Sequence, residues 1–212
     1  MNASSSERAL RLPRSSFESG KARFRQPHAI IAAVTSIILV LLSAVAARPG
    51  STYRWSFVFL IPIMWIVYAL RKKLALLPSH YAVFAGAVVF HDLGAFGSYE
   101  ATFWHFRFDT YVHFVFGFAS GLIVTRALAV NWKLPPRTLW WVVPIFILGA
   151  GAIHELFECF TTLLMGPEKG MLKLRADQPF DTQKDLLNNL LGAVTALIVA
   201  FSRRPAQYSR RD

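Results

Sequence analysis

Residues 138–160, "TLWWVVPIFILGAGAIHELFECF", decide what kind of protein this is. From Leu139 to Ile153 the run carries no ionisable side chain, and a helix of this length crosses the ~30 Å hydrocarbon core of a bilayer. His154, Glu155 and Glu158 then follow, before the apolar character resumes. A charged group inside a membrane costs about 3 kcal/mol or more, so such residues are read first as functional and then asked for partners.

The rest of the chain has the same character. It is 54% hydrophobic and 17% charged, with 18 Phe and 6 Trp, a balance that excludes an ordinary soluble domain. Its net charge of +11 sits mainly at the termini and in short loops between apolar runs, so it orients the chain in a membrane and does not mark a nucleic-acid surface. Cys159, the single cysteine, excludes an intramolecular disulfide framework and a CxxC motif, and reads as a small core residue.

Apolar runs fall at about 29–47, 55–71, 76–94, 109–130, 138–160 and 181–201. They predict an all-α, polytopic membrane bundle of about six transmembrane helices over residues 28–202. Pro78, Ser79 and His80 interrupt the start of the third, and Pro62 and Pro144 fall inside the second and fifth. Residues 1–27 read as a basic, disordered cytoplasmic tail with Arg8, Arg11, Arg14, Lys21, Arg23 and Arg25, and residues 203–212 as a second basic tail. A signal-peptide reading of the first run is set aside, because its basic region is too long and its apolar run exceeds the usual ~7–15 residues.

By the positive-inside rule the tails, Arg71-Lys72-Lys73 and the loop bearing Arg126, Lys133 and Arg137 face the cytoplasm, which makes the protein N-in and C-in. Glu100 and the loop from Gly166 to Phe180, with Glu168, Lys169, Lys173, Arg175 and Asp177, then lie outside. Counted from Leu139 at 1.5 Å per residue, His154 is about 22 Å across and Glu158 about 28 Å, near the outer interface. Asp109 and Asp181 open the fourth and sixth helices there, His113 and Asp185 lie one turn deeper, and His91 and Asp92 end the third.

Within each helix the polar residues share a face: Asp109/His113, Asp181/Asp185 and His154/Glu158 at i,i+4, and Asp185/Asn188 and Glu155/Glu158 at i,i+3. One pocket near the outer leaflet can collect them all. Asp109 and Asp181 also suit the first turn of a helix, and His91 and Asp92 an interface, whereas Glu155 and Glu158 repel each other unless a proton, cation or metal lies between them. Gly117 and Gly121 form a GxxxG, read as close helix packing. Pro78-Ser79-His80 is too incomplete for a lipid-phosphatase signature. The four-residue repeat of Asp177, Asp181 and Asp185 lacks the other half of a phosphatidyltransferase signature.

Taken in order, "HDLGAFGSYE", "RFDTYVHFVFGFASG", "HELFECFTTLLMG" and "DTQKDLLNNLLGA" resemble the motif series of the YjdF-like bacterial inner-membrane proteins, over about residues 55–201. A more distant similarity is to the VanZ-like membrane proteins. The resemblance implies a bacterial inner-membrane location. It places His91 and Gly94, Asp109, His113 and Gly117, Glu155 and Glu158, and Asp181, Asp185 and Gly192 at the family's polar and glycine positions, but it implies no established reaction.

The expectation from these residues is a metal-assisted enzyme acting on a lipid or lipid-linked envelope substrate. Its candidate metal ligands are His113, His154, Glu155, Glu158, Asp181 and Asp185, for Mg²⁺, Mn²⁺, Zn²⁺ or iron, and its candidate catalytic groups are Asp109, His113, His154, Glu155, Glu158 and Asp185. Arg107, Lys173 and Lys184 are candidate phosphate holders. Two alternatives stand beside it: a proton- or cation-coupled transporter with the same groups as a relay, and a non-catalytic membrane assembly or immunity factor. The expected partners are the bilayer and its lipids, with no nucleic acid.

Overall fold

The computed structural model describes residues 27–46, 57–166 and 180–203. Residues 1–26 and 204–212 of the expected tails, and Glu168, Lys169, Lys173, Arg175 and Asp177, lie outside the described residues. Six α-helices make up the described fold: α1 (Pro27–Val45), α2 (Phe57–Ala69), α3 (Pro78–Asp92), α4 (Phe108–Asn131), α5 (Pro136–Met165) and α6 (Asp181–Arg203). Pro78 does not break α3. It opens the helix, and Pro136 opens α5 in the same way, at a position where the missing N–H would have had no helical partner.

Four helices are long and apolar enough to cross a membrane: Pro27–Val45, Phe108–Asn131, Pro136–Met165 and Asp181–Ser202. The other two are shorter than their apolar runs suggest. α2 has 13 residues, about 20 Å of helix, because the chain leaves it at Leu70 for a turn that passes through Ala75 at φ 47°. α3 has 15 residues and continues as 3-10 turns, Leu93–Phe96 and Ser98–Glu100, into a short antiparallel hairpin, β1 (Thr102–Phe103) and β2 (Phe106–Arg107).

α4 joins the two halves of the bundle. On one side a cluster including Leu39, Leu60, Met64, Tyr81, Val88, Ala119 and Ile123 ties it to α1, α2 and α3. On the other, Ala129 packs with Leu139, Val143 and Ile147 of α5 and Ala193, Leu197 and Ala200 of α6. Lipid tails are as apolar as these side chains, so the cohesion is close packing, and small residues provide it. A Cβ on Gly117 would stand 2.3 Å from the Asn189 carbonyl oxygen, and one on Gly192 would stand 2.2 Å from that of Phe114. The backbones of α4 and α6 therefore touch, and the GxxxG of α4 lies in that seam, with Gly121 against Ala193 and Ala196.

α5 buries one straight stripe, Leu139, Val143, Ile147, Gly151 and Glu155, each four residues after the last. Its opposite face is bare and apolar, with Ile145, Ile153 and Leu163 66%, 70% and 79% exposed, as a lipid-facing surface requires. At the end of the bundle where α3 and α5 begin, side chains hold the turns. Arg126 Nε donates to the Ala75 carbonyl, Asn131 Nδ2 donates to that of Lys73 at 2.6 Å, and His28 Nε2 lies 3.0 Å from that of Leu76. The exposed Lys72, Lys73 and Lys133 gather at this basic end, and His91, Asp92, Asp109, His113, His154, Glu155, Glu158, Asp181 and Asp185 lie at the other.

Candidate metal centre

α4 and α6 run away from the acidic end and α5 returns to it, so Asp109 and His113 of α4, Glu155 of α5 and Asp185 of α6 reach one level. The glycine seam brings α4 and α6 close enough for their side chains to meet. Glu155 faces inward because it extends the buried stripe of α5. The three carboxylates converge on a single atom of the fourth residue: His113 Nε2 lies 3.6 Å from Asp109 Oδ1, 3.7 Å from Asp185 Oδ2 and 4.0 Å from Glu155 Oε1.

Each separation exceeds the ~3.2 Å of an ordinary N–H···O hydrogen bond, and one ring nitrogen carries at most one proton for three carboxylates. Donors about 2.1 Å from a shared ion at the tetrahedral angle stand about 3.4 Å apart, close to the spacing seen. Asp109, His113 and Asp185 offer donor atoms that all lie within 4.8 Å of one another, and this group can hold a metal ion. Glu155 is not one of the three, but its Oε1 is buried with no hydrogen-bond partner while Oε2 accepts from Thr182 Oγ1 at 3.0 Å. A carboxylate oxygen left without a donor thus stands 4.0 Å from the same nitrogen.

The rear of the imidazole is also held. Asn189 of α6 lies buried with its amide 3.3 Å from His113 Nδ1. The amide nitrogen faces the ring, and its N–H donates to Nδ1 with the ring proton on Nε2; a cation at Nε2 requires the amide turned over, so that its carbonyl oxygen accepts from Nδ1–H. Gly151 makes room for it, since a Cβ there would stand 2.6 Å from Asn189 Nδ2. Neither Asn189 nor Thr182 stands out in the sequence as a site residue. The i,i+3 pairing pointed to Asn188, which instead donates to the Lys184 carbonyl at 2.7 Å. The available signal was that Asn189, four residues after Asp185, shares its face.

Other candidates form a second, adjoining group. His154 Nε2 pairs with Glu158 Oε1 at 3.3 Å, on the flank of α5 and not on its buried stripe, with their side chains 42% and 22% exposed. Glu155 and Glu158 thus turn to different partners, although the His154 ring stands only 5.9 Å from that of His113. His91 Nδ1 shares a hydrogen bond with the Tyr99 hydroxyl, its ring packs against that of Phe116, and Asp92 is buried at the end of α3. Asp181 opens α6, half-buried and outside the group of three. Arg107 donates to the Tyr99 carbonyl at 2.9 Å, and Lys184 is exposed.

A family model described as "Predicted membrane protein (DUF2238)" matches residues 29–205, which takes in every described helix but the first two residues of α1. No curated protein and no solved structure matches the chain.

Proposed function

The chain belongs to this family of multi-pass membrane proteins, and from that premise we propose that it holds a divalent metal ion between Asp109, His113, Glu155 and Asp185 and uses it to act on a lipid or lipid-linked substrate of the cell envelope. The observation that carries the reading is the convergence of three carboxylates from three helices on one imidazole nitrogen, with a carboxylate oxygen left over. Three oxygen donors and one nitrogen suit Mg²⁺, Mn²⁺, iron or Zn²⁺. Such an ion would polarise a phosphoryl or acyl oxygen and activate water, while the adjoining His154–Glu158 pair, partly exposed on the flank of α5, is placed to give or take a proton.

Location is part of the same proposal. The positive-inside rule puts the basic end, with Lys72, Lys73 and Lys133, in the cytoplasm and the acidic end near the outer leaflet of a bacterial inner membrane. A place among the YjdF-like proteins and the distant likeness to VanZ-like proteins fit that location.

Element analysis of detergent-purified protein tests the reading, with about one divalent metal per chain expected and none in Asp185→Asn. Metal-free protein that drives proton- or cation-coupled uptake in vesicles would replace it with a transporter. With metal established, reconstituted protein should release phosphate or an acyl group from a lipid-linked substrate presented on its acidic side.

A further inference from the structure

The hairpin between α3 and α4 plays no part in the metal reading, yet it is built with care. Its turn residues, Trp104 and His105, both adopt left-handed backbone, at φ 49° and 72°, where glycine or asparagine is usual and a bulky residue is an outlier. The unfavoured residue is kept with its ring in the open: Trp104 is 90% exposed, flanked by Phe103 and Phe106 at 48% and 57%. The hairpin is also fixed to the bundle. Tyr111 donates from its hydroxyl to the Phe103 carbonyl at 2.7 Å, the Phe108 N–H donates to the Ala101 carbonyl at 3.1 Å, and the Phe108 ring meets those of Phe90, Tyr99 and Phe103 tilted or edge-on.

Position says what this rigid aromatic tip meets. β2 runs directly into α4, whose 24 residues make about 36 Å of helix against a hydrocarbon core of about 30 Å. The hairpin therefore sits at the depth of the headgroups and uppermost acyl carbons. Indole rings prefer that layer, with the ring in the apolar part and its N–H towards water. Between Ala101 and Phe108 there is no acidic side chain to oppose an approach to lipid phosphates, and His105 and Arg107 supply the polar edge. We propose that the Thr102–Arg107 hairpin inserts Phe103, Trp104 and Phe106 into the interfacial layer of the leaflet at the acidic end of the bundle, and so anchors that end at a fixed depth.

The test uses the full chain in phosphatidylcholine/phosphatidylglycerol vesicles. With a nitroxide on Trp104→Cys in a Cys159→Ala background, collisions with oxygen should exceed those with a water-soluble nickel chelate, giving a depth about 5–10 Å below the phosphates. A label replacing Lys133 serves as the aqueous reference. Nickel-chelate collisions at position 104 equal to that reference would overturn the proposal and make the tip an aqueous surface, open to a soluble partner. A second measurement leaves the backbone unaltered: lipids brominated near the headgroup should quench the tryptophan emission of the native chain measurably more than that of Trp104→Phe. Equal quenching of the two would also overturn it.

Discussion

The two ends of the bundle are both polar and are built on opposite principles. At the basic end, Arg126 and Asn131 each donate to a backbone carbonyl of the α2–α3 turn, and His28 meets a third. At the acidic end, Asp109, Glu155 and Asp185 crowd one ring nitrogen, and Glu155 Oε1 has no donor. The first arrangement is a structural fastening. The second gathers more acceptors around one nitrogen than that nitrogen can satisfy, and the proposed cation would supply what is missing.

The variant Asp185→Asn should break this contrast most severely. Bound metal should fall from about one per chain to below a tenth, and the stabilisation by added metal, about 3 kcal/mol at a hundredfold excess over Kd, should vanish. If no cation were present, the same change would relieve repulsion between buried carboxylates. An unchanged metal content with an equal or higher Tm would therefore remove the metal reading.

Gly117→Ala should act through packing, since its Cβ would meet the Asn189 backbone. Overpacking of about 1–3 kcal/mol is expected, read as a lower Tm in detergent, together with weaker metal binding because Asn189 holds His113. A comparable Tm loss with full metal affinity would show that the seam and the site are independent.

Glu155→Gln and Glu158→Gln sharpen the contrast within α5. Removing one anionic ligand should weaken metal binding about tenfold in Glu155→Gln, within the usual range for a change next to a metal, whereas Glu158→Gln should leave affinity unchanged because its partner is His154. Titration of the apo-protein with metal separates the two, and equal losses would mean that the ion is shared by both carboxylates. The smallest effect belongs to the basic end, where Asn131→Ala should cost about 1 kcal/mol of stability, equally with and without metal.

Much of this was legible in the sequence, for identifiable reasons. Long apolar runs mark α1, α4, α5 and α6 directly, because lipid forces a continuous apolar helix. The end of α2 was legible only to within two residues, because the apolar run continues to Leu70 and Arg71-Lys72-Lys73 marks only the turn beyond it. The hairpin was hidden as well: "TFWHFR" contains no glycine, asparagine or aspartate to signal a two-residue turn. Spacing by four brought Asp109 and His113 together correctly. It could not tell which of His154, Glu155 and Glu158 faces inward, because that depends on the rotation of α5, set by a stripe that passes through Gly151.

The contact between His113 and Asn189 spans 76 residues of chain, and that separation has a consequence for how the protein is made. At about 5–20 residues per second, some 4–15 s pass between synthesis of α4 and of its partner on α6. During that interval Asp109 and His113 have emerged from the ribosome without the partners on α6 that will surround them. Full insertion of α4 at that stage would carry uncompensated polar groups towards lipid, so the fourth helix has reason to linger beside the insertion machinery until the sixth arrives. A nascent chain arrested before Asp181 should accordingly still crosslink to that machinery through α4, and one extended past Arg203 should have left it.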